Sequence, residues 1–125
     1  MSSDRVSLTV PNKGEYARTA RLAAGELASR LEMSIDDVDD LKMAVEEAFV
    51  LVAGSSVADA VTFVFDIDQD AIEVLVGPMP EEALDDADSD ASERYARFIL
   101  EAVCDSFDYR QVAGVRQLHM IKRRA

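Results

Sequence analysis

Asp39-Asp40-Leu41-Lys42-Met43-Ala44-Val45-Glu46-Glu47-Ala48, continued by Phe49 to Val52, is the stretch whose periodicity decides the fold. Leu41, Val45, Ala48, Phe49 and Val52 recur at i, i+4, i+7, i+8 and i+11, the spacing of one face of an α-helix. The pattern predicts one buried stripe, with Lys42, Glu46 and part of Glu47 turned elsewhere. Ser34 is placed to cap the start, Asp37 sits three residues on, acids crowd the first turns and Gly54 is placed to stop the end.

Upstream, Arg5 to Val10 alternates polar and apolar residues, a strand closed by Pro11-Asn12. A helix is predicted from about Gly14 to Leu31, with Tyr16, Ala20, Ala23, Ala24, Leu27 and Leu31 inward. Arg18, Arg21, Leu22, Gly25 and Ser29 then share its opposite face. Downstream, Val61 to Ile67 and Ala71 to Val76 are β-rich runs joined by Asp68-Gln69-Asp70, a hairpin of two central strands. A third helix is expected over Ser92 to Asp105, with Tyr95, Phe98, Ile99, Ala102 and Val103 inward. Phe107 to Gln111 and Val115 to Ile121 form a closing hairpin that turns on Ala113-Gly114. The order implies an α/β (α+β) two-layer sandwich, helices packed on one face of a mixed, mostly antiparallel sheet.

At 125 residues and 49% hydrophobic, the chain is read as a single domain over 1–125, able to bury a core without disulfides or metal. A net charge of −12 argues against direct nucleic-acid binding or attachment to an anionic membrane, both of which need clustered cations. Cys104 is the only cysteine, so no intrachain disulfide forms, and it reads as a buried apolar residue. His119 is the only histidine, which leaves no Ser-His-Asp or Cys-His constellation and no metal site. The start of the chain shows no charged region followed by an apolar run, and no stretch is apolar enough to cross a bilayer, so a cytoplasmic location is expected. Lys122-Arg123-Arg124 reads as a solvated basic tail.

From Ser7 to Val52 the chain resembles the anti-sigma factor serine kinases, regulators with the histidine kinase-like ATPase (Bergerat) fold. Leu8-Thr9-Val10-Pro11, Glu15-Tyr16-Ala17-Arg18, Leu27-Ala28-Ser29-Arg30-Leu31 and Asp40 to Ala48 carry the resemblance as an ordered set. The family's second helix reads roughly Glu-Ala-x-x-Asn, with a Glu that positions the attacking group and an Asn that holds Mg²⁺ against the ATP phosphates. Glu47 matches the Glu and is the one remnant of a catalytic role, while Leu51 stands at the Asn position and offers a hard cation no oxygen. The family's adenine-recognising Asp-x-Gly falls on Pro78-Met79-Pro80, and its lid Gly-x-Gly falls on Arg94-Tyr95-Ala96. Between them, Glu81 to Asp90 holds six acids and no base; the run reads as a solvated loop, and beside a triphosphate it would repel.

The resemblance therefore implies a protein without ATP or Mg²⁺ as cofactor. It implies partner binding on helix one, through Glu15, Arg18, Arg21 and Leu22. By themselves Arg18 and Arg21 read as solubilising residues paired with nearby acids, at about 0.3 kcal/mol per pair. The partners implied are a sigma factor and a STAS-domain antagonist that competes for the same surface, with homodimer formation left open. Two alternatives stand beside this. One is a working ATP-dependent serine/threonine kinase that phosphorylates its STAS antagonist, which would need ATP and Mg²⁺. The other is a generic interaction module on the same fold.

Overall fold

The computed structural model describes residues 3–55, 58–80 and 91–124, with the backbone alone at Ser55; the acidic run Glu81 to Asp90 lies outside the described residues. Strand β1 (Asp4–Pro11) leads through a 3-10 turn (Gly14–Tyr16) into helix α1 (Ala17–Arg30) and then α2 (Ile35–Ser55). Strands β2 (Ala60–Ile67) and β3 (Ala71–Met79), helix α3 (Ala91–Val103), and strands β4 (Ser106–Val112) and β5 (Val115–Arg123) follow. The five strands form one open sheet in the order β1-β2-β3-β5-β4, and every pairing is antiparallel.

Local chemistry accounts for the joints. The Ser34 hydroxyl accepts a hydrogen bond from the Asp37 amide at 3.1 Å, the N-cap that the sequence predicts for α2. The helix runs on to Ser55, one residue beyond the expected stop at Gly54. In the β2–β3 turn, Asp68 Oδ1 accepts from the amides of Asp70 and Ala71 at 2.7 and 2.9 Å. The β4–β5 hairpin turns on Ala113 and Gly114, whose φ values of 53° and 80° define the left-handed pair that a two-residue loop needs.

One face of the sheet and the inner faces of the helices make the core. Phe49 of α2 lies over Phe63 at a ring separation of 6.4 Å, and Phe63 over Phe65 at 6.3 Å, joined by Val74, Val76, Leu118 and Met120. The α2 stripe Leu41, Val45, Ala48, Phe49 and Val52 is buried as predicted, together with Ala44 and Leu51. In α1 the buried residues are Ala20, Ala24, Leu27 and Ala28, with Tyr16 and Leu31 packed at the margin.

In α3 the expected inward face is wrong in part. Ala96 and Leu100 are buried, whereas Tyr95, Phe98 and Ala102 are exposed. The helix packs chiefly on α2, with lesser contact to β4 and a hydrogen bond from Lys122 of β5 to its last carbonyl, so its buried face is a narrow row. Small Ala96 occupies that row, and the two aromatics point away from it.

The C-terminal basic residues are built into the fold instead of forming a loose tail. The Lys122 ammonium donates to Asp40 Oδ2 at 3.2 Å and to the Val103 carbonyl at 3.0 Å, and lies 3.6 Å from Asp37. Burial opposes its charge, but the Asp40 hydrogen bond and the charges of Asp40, Asp37 and Asp105 together hold Lys122 above the usual lysine range. Neighbouring Cys104 has its thiol pushed up to about 12, chiefly by burial, which makes it a poor nucleophile. His119 is buried on the far face of the sheet, Nδ1 3.3 Å from Asp108 and Nε2 3.5 Å from Glu73.

Candidate functional site

A groove runs between α1 and α2. Its first depression, about 420 Å³, is lined by Gly14, Glu15, Ala17, Arg18, Arg21 and Glu46. A second, about 310 Å³, continues along Arg21, Asp39, Lys42, Met43 and Glu46. Arg21 and Glu46 are common to both and meet at 3.4 Å, forming the wall between them. Arg18 and Arg21, placed on one face by helical spacing, and Glu15, added to them by the resemblance, line the same depression. Arg18 is exposed, and among the described residues its side chain makes no ion pair or hydrogen bond.

The outward face of α1 is divided more finely than spacing alone predicts. Arg18, Arg21 and Gly25 form a row toward α2, and a side chain at Gly25 would meet Lys42 Cδ at 3.0 Å, so Gly25 marks a close approach of the two helices. Leu22, 60% exposed, and Ser29 stand on the solvent side of that row. Glu46 and Lys42, read from the sequence only as lying off the α2 core stripe, complete the groove. Their own spacing of four residues puts them on one face of α2, but the partner helix that makes this face a groove is a tertiary fact.

The positions matching the nucleotide motifs lie elsewhere. Leu51 is completely buried in the core. Glu47 is half-buried, with Oε2 enclosed and without a hydrogen bond among the described residues; burial first, and the neighbouring Glu46 charge second, raise its carboxyl above the usual range. Pro78 is exposed within β3 and Pro80 exposed just beyond it. Ala96 is fully buried and Arg94 exposed in α3. The C-terminal end of α2 does approach the first turn of α3, since a side chain at Gly54 would meet Glu93 Oε1 at 3.6 Å. No three His, Cys, Asp or Glu side chains among the described residues are grouped to hold a metal ion. No helix among them is long and apolar enough to cross a membrane.

Among the described residues, three helices on one face of an open, five-stranded antiparallel sheet make an α+β two-layer sandwich, an architecture consistent with the histidine kinase-like ATPase fold. Within that class, the chain is similar to proteins named serine-protein kinase RsbW. It is 29% identical over 76 residues to that of Bacillus cereus, covering 58% of this chain and 48% of the relative. To that of Halalkalibacterium halodurans it is 32% identical over 75 residues, covering 58% and 46%. The chain spans about half the length of the curated relatives it matches. No family model matches it. The resemblance read from the residues between Ser7 and Val52 thus finds its counterpart in these serine-protein kinases.

Proposed function

We propose that this protein is an anti-sigma-type regulator that captures a sigma factor on the α1–α2 groove, and that a STAS-domain antagonist releases it by competing for the same surface. Occupancy, not phosphoryl transfer, does the regulating. The single observation that carries this reading is Leu51. At the position where the family's Asn would hold Mg²⁺, a leucine is completely buried in the core, so neither an oxygen ligand nor the space for one is present there. Pro78 at the position of the adenine-recognising carboxylate, and fully buried Ala96 where the lid glycine should lie against phosphate, support the same conclusion. The residues present do not fit a Mg²⁺–ATP complex held in the family manner.

The groove supports the binding half of the proposal. A cation with no ion pair or hydrogen bond among the described residues, Arg18, stands beside an acid, Glu15, and an exposed apolar side chain, Leu22, and arginine is among the residues that dominate binding energy. The serine-protein kinase activity in the relatives' name is the alternative, and half-buried Glu47 is the one residue that favours it. A calorimetric titration with ATP and Mg²⁺ decides between them. No heat at millimolar nucleotide is expected, and micromolar binding would overturn the nucleotide-independent reading.

A further inference from the structure

Strand β4 ends the sheet, and among the described residues it pairs on one side only, with β5. Its hairpin with β5 closes on Val112 opposite Val115 around two loop residues, so Val112, Arg110, Asp108 and Ser106 turn their backbone groups to β5. The N–H and C=O groups of Phe107, Tyr109 and Gln111 therefore face the outer edge, a row without backbone partners among the described residues.

Helix α3 overhangs that edge. Its Glu93 faces α2, with Oε1 close to Gly54, and β4 lies beneath the helix. At about 100° per residue, Tyr95 and Ala102 stand about half a turn from Glu93, on the flank that looks away from α2 and past β4. Tyr95 and Phe98 are 62% and 67% exposed, while every other aromatic side chain of the protein is buried or half-buried. Phe107 and Tyr109, on the helix side of β4, are themselves only half-buried.

Backbone and charge together select the occupant. A strand added antiparallel to β4 closes the open hydrogen bonds, and its residues opposite Phe107, Tyr109 and Gln111 point to the helix side, beneath Tyr95 and Phe98. A helix satisfies its own backbone and would leave the edge open. Glu101, Asp105 and Asp108 are exposed around the Ser106 end of the edge, and Arg110 stands toward the other end, so the fitting segment carries cations opposite Ser106 and Asp108. At a net charge of −12 a second copy of the chain is repelled, whereas a cationic segment is drawn in.

We propose that the β4 edge and the outer flank of α3 form a docking site for an extended, cationic segment of a partner protein, which adds to the sheet as a strand. None of these residues lines the α1–α2 groove, so the two surfaces are occupied independently. The contact is one strand and one helix flank, below the roughly 1,200 Å² at which stable interfaces begin, and binding is weak.

The probe is the acetylated and amidated peptide Thr-Val-Thr-Phe-Lys-Val-Lys, whose Val, Phe and Val fall opposite Gln111, Tyr109 and Phe107. It is titrated to about 2 mM into the isotope-labelled full chain, followed by amide NMR. Shifts should concentrate at the amides of Phe107, Tyr109 and Gln111 and in α3. Methylating the peptide nitrogens of the two Val and the Phe, which face β4, should weaken binding at least about tenfold; methylating those of the Thr and Lys residues, which face away, should leave it within about twofold. Gln111→Pro removes one edge donor at a position where an edge strand tolerates proline, and Tyr95→Ser removes the aromatic cover. Each should weaken binding about fivefold with an unchanged circular dichroism spectrum, and the methylated peptides test the edge on the unaltered chain should either variant fail to fold. No shift at the highest peptide concentration, equal loss from the two methylation patterns, shifts confined to the α1–α2 groove, or the same edge shifts on concentrating the protein without peptide would each overturn the proposal.

Discussion

Arg21 of α1 and Glu46 of α2 face one another at 3.4 Å, yet the Nε of Arg21 is buried there without a hydrogen bond among the described residues. The pair is close enough for charge attraction but not aligned for donation. A donor enclosed in this way is costly until an acceptor reaches it, which makes the wall between the two depressions a place where an incoming side chain gains more than it displaces. Both side chains are about 40% exposed, so the pair itself contributes little to stability. Arg21→Met should therefore change the free energy of unfolding by less than about 1 kcal/mol. It should weaken sigma-factor binding at least tenfold, read by surface plasmon resonance against purified sigma factors of the same cell.

Arg18→Glu reverses an exposed charge and removes no intramolecular contact among the described residues. Its melting temperature should stay close to wild type, because surface substitutions of this kind fall within about 0.5 kcal/mol. Partner capture in the same binding assay should disappear. Retained binding would assign the interface elsewhere.

Leu51→Asn supplies the oxygen that the family position calls for, but places it in a closed core. The amide would be buried in apolar surroundings, at a cost of about 2 to 4 kcal/mol, measured by urea denaturation. ATP titration of this variant should still give no heat, since the adenine and lid positions are unchanged.

Glu47 and Lys122 give opposite signatures in pH. The Glu47 carboxyl titrates above its unfolded value, so its favourable protonated form adds stability below the ordinary glutamate range, and that contribution is lost as pH rises through the folded value. Glu47→Gln should thus be more stable than wild type at pH 7, and the difference should shrink in acid below about pH 4. Lys122 also titrates above its unfolded value, but its charged form is the favoured one. Its contribution is complete below the unfolded lysine value, about 10.4, and is lost only above it, so the deficit of Lys122→Met should be constant from pH 7 to about 10. Urea denaturation across pH measures both.

Ala113 holds a φ of 53°, where an L-residue with a plain Cβ is disfavoured, and Gly114 follows it. Ala113→Asn creates the Asn-Gly pair preferred in this turn and should raise stability by about 0.5 to 1 kcal/mol, read as an increase in melting temperature.

The division between what was legible and what was not follows from the range of each interaction. Leu41, Val45, Ala48, Phe49 and Val52 marked α2 because helical periodicity is written within a few turns, and the Ser34 cap and the Ala113-Gly114 turn are local backbone chemistry. The division of the outward face of α1 was not legible: Arg18, Arg21 and Gly25 differ from Leu22 and Ser29 only because α2 packs along one flank. Tyr95 and Phe98 show the same limit, since an apolar stripe states that something covers it but not whether the cover belongs to the same chain. Lys122 is the sharpest case, because the acidic residues around it are brought in from α2, about 80 residues away, and from the link between α3 and β4.

The sequence by itself determined the elements, their antiparallel hairpins and the apolar side chain at position 51, because residue identity and short-range periodicity act before any long-range contact exists. Only the tertiary structure decided that Leu51 is sealed in the core, that Glu46 and Lys42 join Arg21 in a groove, and that the aromatics of α3 face outward. Those outcomes depend on which surface each helix buries against its neighbours, and burial is a property of the packed chain, not of any segment within it.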